Sequence, residues 1–328
     1  MESVPNFSEG RRLEVVDRLA DAVTQTSGSH LLDRTSDASH NRSVLTLAGE
    51  AGPVCEALER CVEVAIREID LNRHRGEHPR IGAVDVIPFV PLGRSTMADC
   101  VALARQFGAH LAERFDLPVY LYAEAATRPD RVRLAEIRRG DYEGLRTEIA
   151  LAERRPDFGP ARTHPTAGAV AVGARPFLIA WNINLACEDL ELARSIARRV
   201  RESSGGLPRV QAKGFFIDEL RCAQVSMNLL DFETTPIWQV WDTVVELAAE
   251  AGVAPAESEL IGLAPEAALL AVADHAGADP SLPVDSRLAT AAGYLCLRDF
   301  SPLRALERRL AAMSGNPSVP ASDPEGPA

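Results

Sequence analysis

The sequence predicts an α/β (α+β) protein made of two subdomains, each with the strand and helix order β-α-β-β-α-β, a ferredoxin-like arrangement with facing sheets. Three observations predict it. The same order of strand-like and helix-like apolar patterns occurs twice along the chain. Each amphipathic helix carries a single apolar stripe, so it covers one sheet face and leaves the other to be closed or to form a cleft wall. The 328 residues, 46% hydrophobic, suffice for two ordinary cores.

The first half opens with a short strand at 3–6. A helix follows over 12–26, with Leu13, Val16, Leu19, Ala20 and Val23 on one face. Strands are expected at 30–34 and 43–48, with a polar loop at 35–42 between them. An amphipathic helix at 53–69 turns Val54, Leu58, Val62, Ala65 and Ile69 inward. A polar stretch at 72–80 precedes a buried-type strand at 83–91, and a helix at 95–114 and a strand at 118–122 complete the block. The second half places strand runs at 169–184, broken at 173–176. A helix at 188–201 comes next, then strands at 210–217 and 223–230 flanking a hairpin turn. A helix at 235–251, a strand at 258–263 and a helix at 265–275 finish it. The expected division is 1–168, 169–313 and a Pro-rich, unstructured tail at 314–328.

The charge balance is 35 basic against 47 acidic residues, net −12, with pI ≈ 5.2. That total lacks the basic footprint of a nucleic-acid binder. The basic residues are arginines apart from Lys213, as genomic composition bias would produce. None of the six cysteines forms a C-x-x-C or a zinc spacing, so reduced thiols are expected. There is no basic and apolar leader, and no apolar run long enough to span a bilayer, which points to the cytoplasm.

The densest polar cluster is Arg73-His74-Arg75-Gly76-Glu77-His78-Pro79-Arg80, between an amphipathic helix and a buried strand. Loops at strand ends commonly carry catalytic groups. The ordinary fate of such a run is a solvated surface, but two histidines, a carboxylate and fixed turn residues make it more than that. One reading takes His74-x-x-Glu77-His78 as the H-x-x-E-H of an inverzincin, with Glu148 or Glu153 as a further zinc ligand. Gly76 and Pro79 interrupt the helix that chemistry needs. The other reading takes one histidine as a general base and then general acid, since imidazole titrates near pH ~6.5 and can take and return a proton.

Ordered blocks across nearly the whole chain resemble glutamate formimidoyltransferase, the formiminotransferase part of formimidoyltransferase-cyclodeaminase. They are Val4-Pro5-Asn6-Phe7-Ser8-Glu9-Gly10, Asn41-Arg42-Ser43-Val44 and Gly76-Glu77-His78-Pro79-Arg80-Ile81-Gly82-Ala83-Val84-Asp85-Val86. The series continues with Pro156-Asp157-Phe158-Gly159-Pro160, Phe177-Leu178-Ile179-Ala180-Trp181-Asn182-Ile183-Asn184-Leu185 and Gln224-Val225-Ser226-Met227-Asn228-Leu229-Leu230-Asp231-Phe232.

The resemblance implies that His78 is catalytic and that folate meets Gly159, Pro160, Ala161, Arg162, Thr163, His164, Pro165, Thr166, Ala167 and Gly168. Within that segment Thr163-His164 and Thr166-Ala167 replace the mammalian Phe-Val and Ser-Trp, so stacking of the pterin on tryptophan is not implied. It further implies two sheets facing each other across a folate cleft, tetrahydrofolate as co-substrate, no metal, and transfer of a formimidoyl group from N-formimidoyl-L-glutamate in histidine degradation. A monofunctional protein, a possible homodimer and a separate cyclodeaminase partner are also implied.

Both substrates carry carboxylates, for which arginine forks are suited. Arg42 and Arg80 are the preferred candidates, ahead of Arg73, Arg75 and Arg162. Asn6 and Ser8 are further substrate candidates, and Asn182 and Asn184 weaker ones. A binding protein that has lost turnover is the third reading.

Overall fold

The computed structural model describes residues 1–218 and 220–313, so the expected tail at 314–328 lies outside the described residues. Two compact units meet in sequence between Pro176 and Phe177.

The first unit begins with one strand in two pieces, β1 (Glu2–Ser3) and β2 (Asn6–Phe7), interrupted around Pro5, which has no N–H for a ladder. Helix α1 (Leu13–Thr24) buries Val15, Val16, Leu19, Ala20 and Val23, while Leu13 is exposed. The hairpin β3 (Ser29–Asp37) and β4 (Arg42–Gly49) pairs as far as Asp37 with Arg42. The expected loop at 35–42 is therefore strand up to Asp37, and only 38–41 form the turn. Its polar residues pointed to a loop, but cross-strand pairing to the apolar β4 holds them in the ladder.

Helix α2 (Ala51–Glu68) lays Val54, Ala57, Leu58, Cys61, Val62 and Ala65 on the core, and β5 (Val84–Val90) is buried throughout. These elements form a sheet with β4 between β3 and β1/β2, and β5 on the far side of β1/β2, as the split β-α-β-β-α-β order requires.

Helix α3 (Met97–Phe115) starts on a Thr96–Asp99 capping box and leads to β6 (Val119–Ala123). Two short helices, α4 (Leu134–Ile137) and α5 (Asp141–Glu148), fall where the sequence suggested no element. Strand β7 (Val170–Ala174) then inserts between β5 and β6, parallel to both. This corrects the division expected at 168/169: the apolar run after 168 supplies an inner strand of the first sheet. A parallel partner is recruited through a crossover that local patterning does not reveal. The core lies between the sheet and α1–α3. The opposite face of β5, β7 and β6 is covered by Ile137, Leu145 and Ile149.

The second unit is β8 (Ile179–Leu185), α6 (Leu190–Val200), β9 (Val210–Ile217), β10 (Cys222–Leu229), α7 (Ile237–Ala249) and β11 (Pro255–Ile261). The sheet is antiparallel in the order β11-β8-β10-β9, the predicted ferredoxin-like arrangement. Ile179, Trp181, Ile183, Val225 and Met227 alternate toward a core shared with Val240, Trp241 and Val244 of α7. Helices α8 (Glu266–His275), α9 (Val284–Tyr294) and α10 (Leu306–Met313) complete this unit.

Candidate active site

The cluster at 73–80 occupies the connection from α2 to β5. Buried Ile69 and Leu71 anchor its start, and buried Ile81 and Ala83 its end, so the polar residues between them are held at the sheet margin. His74 is the keystone. Its Nε2 lies 2.9 Å from the carbonyl of Asn41, and its Nδ1 accepts from Arg80 Nε at 3.1 Å. A guanidinium can only donate, so Nδ1 is the acceptor and Nε2 carries the hydrogen. His74 is thus a neutral ring with both nitrogens engaged. Burial lowers its pKa, with the nearby Arg80 adding to the effect, against a rise from the Asn41 bond. A zinc site on His74 and His78 would need a nitrogen that these bonds occupy.

Arg80 was a candidate for a substrate carboxylate, and the structure corrects this. Its fork is bidentate to Glu143 of α5, at 2.7 and 2.8 Å, and its side chain is only 9% exposed. Arg80 therefore ties the 73–80 connection to α5.

Asn41 ties the same connection to the β3–β4 turn. It adopts φ +48°, accepts from the Gly10 N–H at 3.0 Å and donates to the Arg75 carbonyl at 3.0 Å. The chains approach so closely that a Cβ on Gly76 would lie 2.2 Å from the His40 carbonyl.

These ties form a hollow lined by Phe7, Ser8, His40, Asn41, Arg42, His74, His78, Arg80 and Asp85. His78 is half-buried there. Burial first, then the positive charges of Arg42 and Arg138 and the neighbouring His40, push its pKa down to about 3.

Arg42 is half-buried, and its guanidinium has no ion pair among the described residues. Burial lowers its pKa and Arg138 adds to this, while Asp85 and Asp37 oppose it. Asp85 is itself committed, to the Ile81 N–H at 2.7 Å and to Arg138. Near His78 the hollow thus holds a guanidinium that forms no ion pair with a described residue, an arrangement suited to an incoming anion.

Ser8 gives its hydroxyl proton to the Gly82 carbonyl at 2.7 Å, and Asn6 donates to the Val4 carbonyl at 2.9 Å. Both hold the backbone at the hollow's floor and are less free for substrate than expected. Arg73 is 89% exposed beside Asp70, Arg75 donates to the His74 carbonyl, and Arg162 pairs with Asp116 at the surface. Asn184 lies in the second unit, bonded to Glu257 and Gln224, and Asn182 neighbours it on β8.

The expected folate segment divides in two. Gly159, at φ +84°, passes where a Cβ would meet the Leu117 carbonyl at 2.6 Å, and Pro160, Ala161 and Arg162 turn outward, followed by the half-buried Thr163. From His164 to Gly168 the chain doubles back. Its carbonyls then accept from the 69–83 connection: Pro165 from Asn72, Thr166 from Leu71 and Ala167 from Ala83. The half at 164–168 is thus joined to both ends of the connection that carries His78. His164 Nδ1 accepts from the Thr166 and Ala167 N–H groups, leaving Nε2 as the donor.

Sequence reasoning missed Glu143, Asp85, Arg138, and the Asp37–His40 pair. No local signal marks Glu143 or Arg138, and Asp85 stood inside the matched Gly76–Val86 block without a role. The Asp37–His40 pair was visible only as two polar residues in a turn.

Fold and site together define a two-unit α/β protein in which a half-buried imidazole and a guanidinium outside any ion pair among the described residues line one hollow. The chain belongs to the formiminotransferase family. Residues 1–175 match the model of the formiminotransferase domain, N-terminal subdomain, and residues 180–308 that of the formiminotransferase domain. It is 45% identical over 312 residues to glutamate formimidoyltransferase of Thermoplasma acidophilum, covering 94% of this chain and 97% of that one. Identity is 42% over 275 residues to glutamate formimidoyltransferase of Streptococcus pyogenes, covering 84% and 92%. It is 46% over 276 residues to formimidoyltransferase-cyclodeaminase of Sus scrofa, covering 82% of this chain and 51% of the relative.

Proposed function

We propose that this chain is a glutamate formimidoyltransferase that moves the formimidoyl group of N-formimidoyl-L-glutamate to N5 of tetrahydrofolate in histidine degradation. The observation that carries the reading is the neutral His78 imidazole in a hollow with Arg42, whose charge no described residue pairs. N5 attacks the amidinium carbon, and the N5–C bond forms as the C=N π pair moves onto nitrogen. His78 takes the proton that N5 must shed. The leaving glutamate nitrogen gains a proton, the C–N bond breaks toward it as the lone pair on the other nitrogen re-forms the C=N bond, and the formimidoyl group remains on N5. Holding both reactants together supplies a further share of the rate.

Arg42 receives a substrate carboxylate. That negative charge offsets the positive field that depresses His78, so the ring becomes a stronger base once substrate is bound. The segment 159–168 contacts the folate, with no metal required. No helix among the described residues is long and apolar enough to cross a membrane, which supports a cytoplasmic enzyme, and a separate cyclodeaminase would consume the product. The test is turnover of formimidoylglutamate and tetrahydrofolate, coupled to a cyclodeaminase. Binding of both without turnover would favour a non-catalytic binding protein instead.

A further inference from the structure

A third imidazole, beside His78 and His74, lines the hollow. His40 lies in the turn after β3, and its ring centroid is 6.3 Å from that of His78, with the planes at 70°. Asp37 holds it twice, through the backbone N–H at 2.8 Å and through ring Nδ1 at 2.9 Å. Burial would raise the Asp37 pKa, but these two contacts outweigh it and lower the value, so Asp37 is an ionised acceptor. Nδ1 therefore carries a hydrogen toward Asp37, and Nε2 is the free nitrogen. The turn is fastened to the His78 connection through Asn41 and through the Glu77 N–H on the Ser39 carbonyl, so the two rings keep their relation. Asp37 and His78 are the titratable neighbours in contact with His40, Arg42, His74, Arg80 and Asp85 line the same hollow, and Glu77 follows on the connection bonded to Ser39.

The two rings differ in environment. His78 is half-buried among cations, while the His40 side chain is 49% exposed and backed by a carboxylate. Two like groups placed in opposed surroundings are how a site divides acid from base. Resting on the transferase reading above, we propose that His40, held by Asp37, is the general acid that protonates the departing glutamate nitrogen. His40 acts as the imidazolium, with Nδ1–H on Asp37 and Nε2–H toward the leaving nitrogen. His78 accepts the proton from N5, and His40 gives its Nε2 proton to the leaving nitrogen as the C–N pair collapses onto it, becoming the neutral ring. Solvent then returns a proton to the exposed His40 and removes one from His78, which closes the balance. Asp37 is a positioning residue.

The test uses the full chain with His40→Gln, His40→Ala and Asp37→Asn, and reads kcat, KM and the pH profile of kcat. The expected result for His40→Gln is a fall in kcat of about 10²-fold, the worth of one positioned acid, with KM for both substrates within about twofold. The fall of kcat on the alkaline side should disappear, while the acidic limb stays. Exogenous imidazole should restore part of the His40→Ala rate, and Asp37→Asn should lower kcat by a smaller factor. A parental kcat and profile in His40→Gln would overturn the proposal. So would a lower kcat with both limbs intact and no imidazole rescue, the mark of a structural role. Absence of turnover in the parent chain would sink the transferase reading and this proposal with it.

Discussion

Replacing His78 with Gln should remove a pH dependence of stability that its surroundings create. An unfolded histidine titrates near pH ~6.5, whereas folded His78 is held down to about 3 by burial and then by Arg42, Arg138 and His40. As the pH falls below about 6.5, the unfolded chain binds a proton that the folded ring refuses, so folding stability drops through the window from about 6.5 to about 3. Between pH 7 and pH 5 this amounts to about 1.9 kcal/mol if the folded ring stays neutral throughout. The ring is half-buried, and solvent screening reduces the expectation to about 1 kcal/mol. His74 and His164 are lowered in the same direction, chiefly by burial, but they are common to parent and variant and cancel in the difference. Because Trp181, Trp238 and Trp241 all lie in the second unit, tryptophan fluorescence does not follow unfolding of the first. Urea unfolding by far-UV circular dichroism at pH 7 and 5 is the suitable assay. An equal difference between parent and His78→Gln at both pH values would refute the reasoning.

Four further outcomes are expected. His78→Ala should lower kcat about 10²–10⁴-fold while folate affinity, measured by equilibrium binding, changes far less; near-parental turnover would remove His78 from the mechanism. Arg42→Gln should raise KM for the substrate whose carboxylate it holds by about 10–10²-fold, from the ~1.5–3 kcal/mol of a charged hydrogen bond, and should move the acidic limb of kcat/KM to higher pH because His78 loses a positive neighbour. A Cβ at Gly82 would lie 1.9 Å from the Ala169 carbonyl and 2.5 Å from that of Val84, so Gly82→Ala should cost about 3 kcal/mol or more in thermal unfolding. Dialysis against a chelator should leave turnover intact, and loss of activity together with about one zinc per chain would revive the metallopeptidase reading.

Much of the fold was legible because apolar spacing is a local property. Val16, Leu19, Ala20 and Val23 declare a helix, and Trp181 and Ile183 a strand, before any partner is known. The run at 73–80 likewise pointed to a candidate site, with two histidines and a carboxylate among fixed turn residues. What the residues do within it depends on neighbours distant in sequence. Arg80 and Arg42 look alike as arginines in matched motifs. Glu143, 63 positions away, neutralises the first, and no described residue pairs with the second. His74 and His78 look alike as histidines, yet bonds to Asn41 and Arg80 fix the first as a neutral strut, while burial and then the field of Arg42 and Arg138 set the second. The strand at 170–174 could be read as a strand, but its parallel place between β5 and β6 follows from a crossover. Hydrophobic periodicity records which face of an element is buried. Charge compensation and strand neighbours are decided only when the chain has folded back upon itself.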